Sequence, residues 1–417
     1  MKKLLFLLSA AALLVAAASC SKDEAPPSKD RSLDGTTVAI PQNIDKSHSK
    51  LFVLNEGGMG SNNASLDFLR LSDGTYVNGA FKKMNPSIAA GLGDVGNDIV
   101  VHGREVWIVV NNSGIVEVIS ASDETEIAAI QVPTPRNIAF DNQYAYVTSW
   151  SGAHADGSYD ADGNYVITDS SNPKGCVYRI DLSTKKIEGS VEVGYQPEGI
   201  AYYNGKLYVA NSGGISSQLP PMYSYDNTLS IIDAASFKVV QTVEIVPNLK
   251  SVYSDGNGAI FVTTFGNYWD VHTGLYVLMA NDPGKVALVG NGTAIKPEAL
   301  HVSCSCIADG TVYCIGTPNE FSWTEAHEYS VWSCTIEDYT SGKCIISLYP
   351  QKLTGTPYGM AVLSNGSKTS PLHYLILGDA GDYFNPGTVS CYALDFNDGE
   401  KYWTATAGVC PGHLALW

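Results

Sequence analysis

The residues best suited to chemistry in this sequence are aromatic, and they gather in long connecting segments. Trp150, Tyr223, Tyr225, Tyr268, Trp269, Phe321, Trp323, Tyr383 and Phe384 fall within residues 149–175, 211–227, 264–274, 317–330 and 378–387. These segments are rich in Gly, Asn, Asp and Ser. A side chain with a broad apolar face and a polar tip suits a large amphipathic ligand, whether a sugar, a corrin ring or a peptide. The competing account is that the rings pack the long segments against one another. Arg136, Gln196, Glu198, Lys250, Glu298, Tyr358 and His413 lie at the openings of extended apolar runs. There they would point toward a common funnel, and Arg136, Lys250 and His413 could donate to amide or carboxylate groups. Surface charge in turns is the plainer alternative for each.

Catalytic patterns are sparse. HExxH, GxSxG, a Walker loop and CxxCH are all missing, so zincin, serine-hydrolase, nucleotide and haem chemistry lack their usual motifs, and no cofactor is indicated. The eight His residues are scattered without metal spacing; His413 and His272 are the candidates for any metal ligation. The run from Ser158 through Asp160, Asp162 and Gly163 to Asp169 loosely copies a calcium loop, but Ser158 stands where Asp belongs, and a solvated Asp/Gly-rich loop is the simpler reading. Cys176, Cys304, Cys306, Cys314, Cys334, Cys344, Cys391 and Cys410 lie mostly in strand-like runs, where Cys serves as a small buried apolar residue. They form no CxxC pair, and neither bridges nor a metal are assigned.

What must position these residues is a repeat of short strands. Alternating runs rich in Val, Ile, Tyr and Thr are separated by Gly, Asn, Asp and Pro. Residues 197–245 hold one full unit, PEGIAYY, KLYVANS, TLSIIDAAS and KVVQTVEI, which is the content of a four-stranded propeller blade. Its opening phrase recurs from Pro135, Pro247, Pro297, Pro357 and Pro411, and without Pro from Gly96. That gives seven first strands. Pro can open a strand without forfeiting a ladder hydrogen bond, which accounts for its place. The last phrase, PGHLALW, has no second strand after it, and LFVLNEG at 51–57 has no first strand before it. The two ends therefore complete one blade. The expected fold is all-β: a seven-bladed propeller over residues 50–417, closed by the C-terminal strand joining the N-terminal blade.

Before the repeat lies an address. Lys2 and Lys3, an apolar run from Leu4 to Ala18 and small residues before Cys20 resemble a bacterial lipobox, with residues 1–19 as signal peptide and Cys20 as the lipidated residue. Ser21, Lys22, Asp23 and Glu24 resemble the surface-export signal of Bacteroidetes lipoproteins, and residues 20–49 read as a flexible tether. The expected location is the outer membrane, lipid-anchored and facing outward. A formal net charge of −17 argues against nucleic acid or anionic lipid as partners.

The phrases LFVLNEGG, PEGIAYYNGKLYVAN and SIIDAASFKVVQTVEI resemble the YncE-like, surface-layer-type propeller family. NEGG followed by SNNASLDFLR is similar to a Bacteroidetes subgroup of BtuG-type lipoproteins that capture cobalamin beside a transporter. The resemblance implies a non-enzymatic surface protein that binds cobalamin or a related corrinoid and delivers it to a TonB-dependent outer-membrane transporter. A glycan-binding lipoprotein, a propeller enzyme of lyase or lactonase type, and a protein-interaction scaffold are the alternatives.

Overall fold

In the computed structural model the described residues are 35–150, 157–159, 165–167, 174–216, 223–267, 270–296, 300–316, 328–367, 371–395 and 401–417. They form seven antiparallel blades in a ring, a β-propeller. Numbered in chain order by their middle strands, the blades have inner strands Pro411–Leu416 (blade 1), Gly96–His102 (2), Pro135–Phe140 (3), Pro197–Tyr203 (4), Leu249–Ser254 (5), Cys304–Ala308 (6) and Pro357–Ser364 (7).

The burial pattern explains the composition of the strands. Second strands such as Lys50–Asn55 and Ala259–Thr264 are buried at every position. They are covered by a neighbouring blade on each face, so they read as continuous rather than alternating apolar runs. Fourth strands such as Lys238–Glu244 and Glu126–Gln131 are largely exposed, which tolerates their charged and polar residues. The core is a series of wedges between blades. Trp107 and Val118 of blade 2 meet Ile138 and Val147 of blade 3. Tyr208 and Ile231 of blade 4 meet Val252 and Val262 of blade 5, and Leu363 and Ile376 of blade 7 meet Leu51 and Val53 of blade 1. Full burial of such a side chain contributes about 1.5–3 kcal/mol.

The ring closes as expected. Pro411–Leu416 pairs with Lys50–Asn55, with Leu51 opposite Leu416 and Val53 opposite Leu414. Two boundaries differ from the sequence reading. Residues 36–49, read as tether, pack on the body: Thr36–Thr37 pairs with Thr75–Val77, and Val38 and Ile44 are buried against Tyr76 and Trp403. In blade 6 the inner strand is Cys304–Ala308; the opening of the expected phrase, Pro297, lies outside the described residues, and Leu300 to Val302 of that phrase are not in the strand. The cause is a crossing of backbone. His301 O lies so close to Gly316 that a Cβ there would sit 1.5 Å from it, so residues 300–303 pass over the end of the second strand before pairing starts.

Candidate site at the mouth of the funnel

Each inner strand begins at the rim that carries the long connections, and its first residues turn inward. The turn is built the same way in several blades. The residue just before the inner strand has a left-handed φ: Val95 (64°), Thr134 (37°), Gln196 (45°), Asn248 (65°) and Cys410 (55°). For Val and Thr this conformation is strained, at a cost of order 1–3 kcal/mol each, and such strain concentrates where side chains must be aimed. What it aims here are the second or third residues of the strands, Asn97, Arg136, Glu198, Lys250 and His413; Tyr358 holds the same second place in its strand without that turn before it.

These side chains meet across blades. Arg136 Nε donates to Glu198 Oε1 and Oε2 at 3.2 and 3.1 Å, joining blades 3 and 4. The Tyr358 hydroxyl donates to Glu56, which follows the second strand of blade 1. Lys250 Nζ lies 3.5 Å from Ser303 O of blade 6. Asn97 Nδ2 donates to Arg136 O at 2.7 Å, and Thr148 Oγ1 to Glu198 O at 2.7 Å, so the backbones are stitched as well.

An aromatic ring that follows the second strand lies against the inner residue of its own blade three times, directly after the strand in blades 3 and 5 and four residues beyond it in blade 7. Arg136 Cζ lies 4.5 Å from the Trp150 ring centroid, and Lys250 Nζ lies 4.3 Å from that of Phe265. Tyr383 stands edge-on to Tyr358 at 5.8 Å. Cation–π contacts of this kind contribute about 0.5–2 kcal/mol, more as the site is desolvated.

The electrostatics follow from burial among like and unlike charges. His413 is pushed down to about 3, first by burial and then by the cations of Lys250 and Arg136, so its imidazole is neutral. Burial lifts the Glu56 carboxyl, against the hydrogen bond from Tyr358 and the pull of Arg136 and Lys250. Burial lowers the Lys250 ammonium, opposed by Cys304, Glu198 and Glu56. The Cys304 thiol is pushed up to about 12 by burial, with Lys250 opposing.

Of the residues singled out in the sequence, Arg136, Lys250, His413, Trp150 and Tyr383 belong to this cluster, with Glu198 and Tyr358. Phe384 is 85% exposed and stands apart from the polar floor. Tyr225 is half-buried and pairs with Gly213. The backbone of Tyr223 lies in the partner strand Tyr223–Tyr225, but its side chain lies outside the described residues, as do Tyr268, Trp269, Glu298, Phe321 and Trp323. Asp160, Asp162, Gly163 and Asp169 of the calcium-like run also lie outside them. Its Gly157–Tyr159 pairs with Tyr165–Ile167 as strands. His272 stacks on His301 at 5.5 Å and takes no part in the funnel cluster described above. Among the described residues, no group of three or more His, Cys, Asp or Glu is placed to hold a metal ion. The sequence reading missed Phe265 and Glu56. Both directly follow a second strand, as Trp150 does, and that shared position was the available signal.

No family model matches the chain, and no curated protein matches it. Among solved structures, 635 chains match. One is Kuenenia stuttgartiensis Hydrazine Synthase, with 15% sequence identity and a TM-score of 0.53 over 77% of this chain and 89% of that one. At that identity the likeness extends to the fold and no further.

Proposed function

We propose that this protein is a non-enzymatic, lipid-anchored surface protein that captures an amphipathic ligand of small or medium size at the funnel mouth. The observation that carries this reading is the triple placement of an aromatic ring over an inner polar residue, Trp150 on Arg136, Phe265 on Lys250 and Tyr383 on Tyr358. Such a surface offers stacking area beside hydrogen-bond donors and acceptors from several blades, the mixture used for ligands with an apolar body and a polar periphery. The first candidate is cobalamin or a related corrinoid, on the resemblance of NEGG and the segment after it. Delivery to a TonB-dependent outer-membrane transporter and anchoring through Cys20 belong to the same reading.

The cluster favours binding over proton transfer. His413, with its conjugate acid near 3, is a weak base, and the two carboxylates are engaged by Tyr358 and Arg136. A general acid or base works best with a pKa near the operating pH.

The test is calorimetry with cobalamin, followed by desalting to look for a coloured complex, with microbial and host glycans as the parallel arm. Trp150→Ala and Phe265→Ala should each weaken cobalamin binding tenfold or more, as truncating a buried aromatic contact costs about 2–4 kcal/mol. Heat from glycans alone would transfer the reading to a sugar binder. Unchanged affinity in both variants would remove the aromatic floor from the site.

A further inference from the structure

The funnel mouth holds more donors than it has acceptors to match. Arg136 spends Nε on Glu198, and its Nη1 and Nη2 have no hydrogen-bond partner among the described residues. Lys250 carries three N–H donors. Its contacts are the Phe265 ring and the single long approach to Ser303 O, and no described carboxylate lies within ion-pair distance. The His413 imidazole is half-buried and has no described partner. The two carboxylates that face this floor are already engaged, Glu198 by Arg136 and Glu56 by Tyr358. What the floor lacks is an acceptor with several oxygens.

We propose that Arg136, Lys250 and His413 form a binding site for an anionic oxygen group, a carboxylate or a phosphate, carried by the ligand that enters the funnel. The proposal rests on the reading of the funnel mouth as a capture surface and names the chemistry of its polar floor. The guanidinium fork and the ammonium both suit such a group, through short charge-assisted hydrogen bonds. The charged groups acting on His413 are the cations Arg136 and Lys250. Glu56 and Glu198 act in turn on Lys250, with Tyr358, Cys304 and Cys410 in the same field. Burial is the first force holding His413 neutral and the two cations add to it; an arriving anion offsets the cations, so the His413 titration midpoint rises as the anion binds. The net charge of −17 over the whole chain opposes free anions at long range. Screening confines that opposition to about 8 Å at physiological salt, so a ligand bringing apolar contacts to Trp150 and Phe265 outcompetes bare inorganic ions.

Inorganic phosphate and acetate serve as probes because they carry the two head-group chemistries without the apolar body. The full chain is labelled at its eight His rings, and His413 is assigned through His413→Gln. Added phosphate or acetate should shift the His413 ring resonances and raise its titration midpoint. The anion that does so at lower concentration identifies the head group. Lys250→Met should weaken the binding of that anion tenfold or more at unchanged melting temperature, and Lys250→Arg should restore most of it. His413 resonances indifferent to both anions would overturn the proposal. So would a Lys250→Met protein, folded by melting temperature, that binds them like wild type. Anion binding with no uptake of cobalamin or glycan would leave this site standing and remove the capture reading. Cobalamin uptake that depends on Trp150 but not on Lys250 would do the reverse.

Discussion

Lys50 and Glu124 form an ion pair of 2.5 Å across the boundary between blades 1 and 2, with side chains only 10% and 3% exposed. Lys50 Nζ also donates to Ala121 O and Ser122 O at 3.0 and 2.8 Å and sits 5.4 Å from the Trp417 ring. One ammonium thus ties the second strand of blade 1 to its neighbour and to the chain's last residue. Lys50→Met leaves a buried carboxylate without its partner, and a loss of about 3–5 kcal/mol is expected in chemical denaturation. Burial already lifts the Glu124 carboxyl, and Lys50 is the main force holding it down. The raised folded-state value means stability falls as pH rises, so the variant's deficit should be larger at about pH 8 than at about pH 5. An equal deficit at both would show that the pair is electrostatically idle.

Glu117 is a second buried carboxyl, 3% exposed, whose Oε2 has no hydrogen-bond partner among the described residues. Burial, with a smaller contribution from Glu126, pushes it up to about 7. A raised acid contributes most below its unfolded value of 4.5, and that contribution is lost as pH climbs to about 7. Glu117→Gln removes the penalty. Relative to wild type, the variant should gain about 2–3 kcal/mol between about pH 5 and about pH 8. Parallel pH profiles for the two proteins in denaturant titrations would refute the assignment.

Deleting residues 411–417 removes the whole inner strand of blade 1 and bares the edge of Lys50–Asn55. It also uncovers Gly378 and Gly387, which are packed against Pro411. The truncated protein should lose its cooperative melting transition. A transition matching the full-length chain would mean that closure adds nothing to stability.

Backbone contact between inner strands gives a steric prediction. A Cβ on Gly359 would lie 2.3 Å from Gly412 O, where blade 7 meets the closing strand. Gly359→Ala should therefore cost about 1–3 kcal/mol through overpacking. Gly284→Ala, with nothing within 4 Å of the added carbon, is the control and should melt like wild type. Equal melting of the two variants would show that the strands can separate freely.

The number of blades was legible because similar short phrases opening on Pro or Gly recur, and inner strands start on that residue at Gly96, Pro135, Pro197, Pro357 and Pro411 and two residues after it at Leu249. The phrase misled in blade 6, where Pro297 precedes the ladder by seven residues and the strand is the Cys-rich run Cys304–Ala308. Nothing in PEALHV reveals that His301 must cross over Gly316, because that contact is made only in the fold. Residues 36–49 were misread for a related reason: composition describes Val38 and Ile44 among polar neighbours, while their burial depends on Tyr76 and Trp403. Arg136, Lys250 and His413 could be placed because strand position alone aims them inward. Their pairing with Glu198 and Tyr358 with Glu56 needs the ring, since Tyr358 and Glu56 are 302 residues apart.

Closure of blade 1 has a temporal meaning. Leu51 is among the first residues of the body to be made, and its partner Leu416 is among the last. Blades 2 to 7 are each contiguous in sequence and can assemble as they emerge, but blade 1 waits with one edge open through nearly the whole of synthesis. The final loop to close is also the longest, so its entropic cost is the greatest of any pairing in the molecule. The completing step is therefore the docking of one short strand between two preformed neighbours, and the funnel floor, which takes His413 from that strand and Glu56 from the waiting one, is completed only at that moment.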